Sequence, residues 1–131
     1  MTNPTEPKWV IYEQVVAIHS RQLRRFGGAL GLRDDDMLRS ALDRPVNKWQ
    51  YEQADLPVLA AAYGFGLAKN HAFVDGNKRI AFMTMVAFLR KNDIRFAPEQ
   101  AHATKIILSL AAGEVSEESL TRWIRDNWPK T

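Results

Sequence analysis

At 131 residues the chain is long enough for one domain with a sizeable core, and its 46% hydrophobic and 25% charged shares are those of an ordinary soluble globular protein. The absence of cysteine excludes disulfides and thiolate metal sites and fits a reducing cytoplasm. A net charge of +3 is too small to argue for nucleic-acid binding by itself, and suits a nucleotide substrate or an acidic partner segment equally. No apolar signal region opens the chain, and its longest apolar runs, 56–68 and 80–89, fall short of the roughly 20 residues of a membrane span. A cytoplasmic protein with no membrane role is expected.

Residues 1–8, with two prolines, read as a loose arm to a single domain spanning 1–131. Over 9–25, Val10, Ile11, Val15, Ile18 and Leu23 recur at steps of an amphipathic helix, which Gly27-Gly28 ends. His19, Arg21, Arg24 and Arg25 make that helix basic, as a solvated face or, second to that, a phosphate or partner contact. Asp34-Asp35-Asp36 supplies a cap and favourable charge for a short helix from Met37 to about Asp43, stopped by Pro45. The irregular stretch of Asn47, Lys48, Trp49, Gln50 and Tyr51 then reads as a loop or extended flap. Its aromatic residues suit either docking of a target or burial.

Asp55 and Pro57 start a third helix reaching about Asn70, apolar nearly all round and so central, with Ala, Gly64 and Gly66 permitting close helix approach. A fourth, from about Asn77 to Asn92, is again apolar on most sides. Pro98 opens a fifth, ended near Gly113; Ser116 caps a sixth, with Val115 and Leu120 at the spacing of a hydrophobic staple. His102 stands in a polar stretch and reads as surface. No strand series or repeat is apparent. The fold class is all-α, a compact bundle of about six helices.

The chemistry gathers in His71-Ala72-Phe73-Val74-Asp75-Gly76-Asn77-Lys78-Arg79, just before the fourth helix. A helix start presents unpaired N–H groups and a positive dipole end, suited to phosphate. Gly76 lets backbone approach a ligand closely. Asn77 can cap the helix or donate to an anion, and Lys78 and Arg79 add positive charge. Imidazole ordinarily titrates near neutrality, which makes His71 the natural general base. Asp75 suits Mg²⁺, which takes carboxylate and phosphate oxygens. Gly76, Asn77, Lys78 and Arg79 would stabilise charge on a transferring phosphoryl group. Singly, each feature has a plainer reading: a core or solvated His, an Asp-Gly-Asn turn, a solvated Lys-Arg pair. Their ordered conjunction carries the weight. No Gly-x-x-x-x-Gly-Lys-(Ser/Thr) loop or kinase motif set is present.

That conjunction resembles the signature of the Fic/Doc family, His-x-Phe-x-(Asp/Glu)-(Gly/Ala)-Asn-(Gly/Lys)-Arg. Lys78, where Fic nucleotidyl transferases usually carry Gly, is like the Doc branch. Phe26-Gly27-Gly28 with Gly31 and Asp34, Tyr51-Glu52 with Asp55, Phe88-Leu89-Arg90 with Asn92, and Ala112-Gly113-Glu114 with Ser116 extend the resemblance over about 9–126. It implies the Fic/Doc-like helical fold, with an active-site loop leading into a central buried helix. It also implies a toxin of a toxin–antitoxin pair that transfers the γ-phosphate of ATP to a threonine of elongation factor Tu and so stops translation. A long cation replacing Gly would obstruct one phosphate path and attract charge elsewhere. The implied partners are a cognate antitoxin whose C-terminal segment wraps the toxin, and DNA only through that antitoxin. No Ser/Thr-x-x-x-Glu-(Gly/Asn) inhibitory motif is found, so inhibition is expected from another chain. Gly76 stands where some Doc toxins carry Ala and Fic proteins carry Gly. Two alternatives stay open: Fic-type AMP transfer to a protein hydroxyl, and a non-enzymatic co-regulator that binds antitoxin.

Overall fold

A computed structural model describes residues 5–130. Six helices follow one another: α1 Tyr12–Phe26, α2 Asp35–Glu52, α3 Leu56–Asn70, α4 Asn77–Lys91, α5 Gln100–Ala111 and α6 Glu117–Asp126. The all-α fold is as expected, and among the described residues the sole strand-like feature is an antiparallel bridge between Leu32 and Phe73. No described helix is long and apolar enough to cross a membrane.

α3 is the centre of the bundle because it has no polar face to turn outward. Leu59, Ala60, Ala61, Ala62, Tyr63, Leu67 and Ala68 are all buried. Asp55 caps it by accepting from the Val58 N–H, with Pro57 in the first turn. A methyl group at Gly64 would collide with the Met85 sulfur of α4, and one at Gly66 would sit 3.3 Å from the Ala41 backbone of α2. The two glycines therefore let α2 and α4 close on α3. Ser116 caps α6 through the Ser119 N–H, and Leu120 and Ile124 complete the core.

Two expectations are corrected. Pro45 does not stop α2, which runs on through Asn47, Lys48, Trp49, Gln50 and Tyr51; the expected loop there is helix. Pro45 removes one N–H, the partner of the Ala41 carbonyl. Packing holds α2 across that gap: Ala41 lies against Gly66 of α3, and Arg44 and Lys48 both pair with Glu117 of α6. Trp49 rests half-buried on the core. The loose arm is also misread at its end. The Lys8 N–H donates to Asn92 Oδ1 and its carbonyl accepts from Asn92 Nδ2; the Trp9 indole donates to Glu6 and stacks on Phe88. Residues 1–4 of that arm lie outside the described residues. Pinned to α4 in this way, Trp9 and Val10 lie outside the helix, and α1 begins at Tyr12 rather than at 9.

Candidate functional site

His71 terminates α3. It sits in the left-handed region, φ 49° and ψ 47°, which turns the chain sharply into the signature loop and leaves the residue exposed. Ala72 and Phe73 then dive into the core. Asn77, expected as a cap or anion donor, is not the cap: it is the first residue of α4, and its carboxamide turns back to Phe73. Its Oδ1 accepts from the Phe73 N–H at 3.0 Å and its Nδ2 donates to the Phe73 carbonyl at 2.9 Å. The carboxamide closes the loop from 73 to 77 like a rung, and the residue preceding α4 is Gly76, left-handed at φ 76°.

Asp75 projects from that loop with an exposed carboxylate. Oδ1 accepts from its neighbour's Gly76 N–H at 2.8 Å, and Oδ2 from Ala29 N–H at 3.3 Å on the α1–α2 connection. That connection is stitched to the signature loop along its length: Arg33 and Asp34 N–H groups donate to the Ala72 carbonyl, and Val74 N–H to the Gly31 carbonyl. Gly28 lies against Asp75, where a methyl group would come within 2.9 Å of Oδ2. Among the described residues no group of three or more His, Cys, Asp or Glu forms a metal cage. A single carboxylate with lone pairs to spare nevertheless fits a cation such as Mg²⁺, which is commonly held by one protein carboxylate and substrate phosphates.

Lys78 and Arg79 occupy the first turn of α4, exposed and without an ion-pair partner among the described residues. Arg79 lies 4.6 Å over the Phe26 ring. Both border a cavity of about 430 Å³ between α1, α4 and α5, floored by Phe82, Met83, Ile107 and Leu108 and edged by Gln22, Gln100 and Thr104. His71, Asp75, Gly76, Asn77, Lys78 and Arg79 are thus brought together at the junction of α3 and α4. Asn47, Lys48, Trp49, Gln50 and Tyr51 are not. α2 runs antiparallel to α3, with the Met37 carbonyl held by Asn70 near His71. Residues 47–51 therefore lie by the start of α3, whose 15 residues span roughly 22 Å.

One residue read as solvated is not. His19 is buried beneath the signature loop, while Arg21, Arg24 and Arg25 of the same helix are exposed. Its position between Val15 and Leu23, at four-residue steps on the apolar stripe, was the available signal.

A model of the Fic/DOC family matches residues 9–89. The chain is 32% identical over 116 residues to "Protein kinase doc" of Escherichia phage P1, covering 86% of this chain and 90% of that protein. It is 42% identical over 77 residues to "Toxin Doc" of Mycolicibacterium smegmatis, covering 56% of this chain and 58% of that protein. With the signature intact, the loop geometry around it and this coverage, the chain belongs to the Fic/DOC family and is a Doc-like toxin.

Proposed function

We propose that the protein is a phosphotransferase toxin that moves the γ-phosphate of ATP to a threonine hydroxyl of elongation factor Tu and so arrests translation. Lys78 is the observation that carries this reading. A free cation stands in the first turn of α4 beside a nucleoside-sized cavity, in a chain similar nearly end to end to a protein named a kinase.

His71, exposed and side by side with the loop, takes the proton of the attacking hydroxyl. The hydroxyl oxygen attacks the γ-phosphorus and ADP departs. The N–H groups opening α4, with Lys78 and Arg79, hold the phosphate charge. Mg²⁺ entering with the nucleotide would be held by Asp75 and would neutralise phosphate oxygens. Exposed Leu30, Leu32 and Val74 flank the site on the side open to a target polypeptide. An antitoxin segment that covers these groups would silence the toxin and carry it to DNA.

The test is incubation with purified elongation factor Tu and ATP labelled separately at the α and γ positions. Transfer of γ label alone is expected. Label arriving only from the α position would replace this reading with AMP transfer, a reaction that Gly76, the residue usual in Fic proteins, leaves sterically open. Replacing His71 by Ala should lower transfer about 10²- to 10⁴-fold. Growth arrest unchanged in that variant would leave only a binding role.

A further inference from the structure

Buried polar groups are normally satisfied by a definite partner, and that of His19 lies in the signature loop. The residue is 3% exposed. Its Nε2 is 2.7 Å from the Asp75 carbonyl oxygen, which can only accept, so the Nε2–H form donates. The imidazole also stacks on the Phe73 ring, centroids 3.7 Å apart and planes 17° apart. A methyl group built on Gly76 would stand 3.4 Å from the same nitrogen. One ring from α1 therefore touches Phe73, Asp75 and Gly76, 54 to 57 positions further along the chain.

We infer that His19 is a positioning residue that sets the plane of the Asp75–Gly76 peptide, and this rests on the phosphotransferase reading above. In a trans peptide the C=O and N–H point in opposite directions. Drawing the Asp75 carbonyl into the protein sends the Gly76 N–H outward, where it already meets the Asp75 carboxylate. The buried hydrogen bond thus fixes two elements at once: the aim of the Gly76 amide and, through the bond that amide makes, the rotamer of the Asp75 carboxylate. A left-handed glycine can swing its peptide at little cost, so an outside anchor is needed to hold one orientation.

The experiment compares full-length His19→Phe, which keeps a ring without the donor, with His19→Gln, which keeps a donor without the ring. Phosphate transfer, affinity for a non-hydrolysable ATP analogue with Mg²⁺, thermal unfolding and the amide resonance of Gly76 are measured for each. His19→Phe is expected to shift the Gly76 resonance and to lower kcat/KM about tenfold to a hundredfold. His19→Gln is expected to recover most of that loss. A Phe variant with wild-type transfer and an unmoved Gly76 resonance overturns the proposal, as does activity that tracks thermal stability alone in both variants. Should His19→Phe not fold, His19→Gln and His19→Asn, donors of different reach, decide it: equal losses with the Gly76 resonance in its wild-type position overturn it. If the wild-type protein transfers no phosphate, the phosphotransferase reading fails by itself, and the Gly76 resonance still answers whether His19 orients this peptide.

Discussion

Asp75 works under constraint from three sides: its own Gly76 amide, the Ala29 amide, and the Gly28 α-carbon. Gly28 has φ 125°, a region L side chains avoid, and an added methyl would also meet Leu23 at 2.8 Å. Gly28→Ala is expected to push the carboxylate aside and cut phosphate transfer about tenfold or more, with antitoxin affinity as the control measurement. Asn77→Asp removes the donor to the Phe73 carbonyl and leaves that acceptor unpaired, costing about 1–3 kcal/mol in urea unfolding. These roles were hidden from the sequence to different degrees. His71, Asp75, Lys78 and Arg79 are contiguous, so their cluster was legible. The residue type of Asn77 suits a cap or an anion donor, whereas its rung partner, Phe73, is chosen by the loop's path and not by helix chemistry. His19 and Gly28 meet Asp75 only after the chain has folded back upon itself.

Among the helices, local chemistry fixed the ends and tertiary contact fixed the lengths. Asp55 with Pro57, and Ser116, mark helix starts because capping is settled within four residues, whereas Pro98 lies two residues ahead of α5, which Glu99 precedes. α2 was cut short because a proline rule takes no account of what lies opposite, here Gly66 and Glu117. Gly66→Leu is expected to lower stability by about 1–3 kcal/mol, since the side chain has only the Ala41 backbone to displace. A rise in melting temperature, as helix propensity alone would give, would show that α2 and α3 can separate without loss.

At the scale of the molecule, the lead-in to α1 is fastened to the central helix by Tyr63. Its hydroxyl accepts from the Val10 N–H and donates to the Val10 carbonyl. Burial pushes that hydroxyl up to about 12. The unfolded chain releases its proton near pH 10, so the folded state holds more protons between the two values and stability falls as pH rises through them. The full effect is about 2–3 kcal/mol, present below pH 10 and gone near pH 12. Tyr63→Phe should flatten this alkaline slope, leaving the part due to Tyr12, whose hydroxyl is also raised by its hydrogen bond to Asp35, while lowering stability at neutral pH by about 1–3 kcal/mol, because Val10 loses both partners. Denaturant titrations at pH 7 and pH 11 separate the two effects.

The α1–α2 connection is sewn to the signature loop by main-chain groups: Arg33, Asp34 and Val74 lend amides, Gly31 and Ala72 lend carbonyls. Every non-proline residue owns the same donor, so the identity of most side chains there is free to drift. Saturation mutagenesis scored by folding should find positions 30, 32 and 33 permissive to ordinary residues, with losses at 30 and 32 confined to action on the target. Proline at 33 or 74 should be lethal to the toxin, because it deletes a stitch that no side chain can replace.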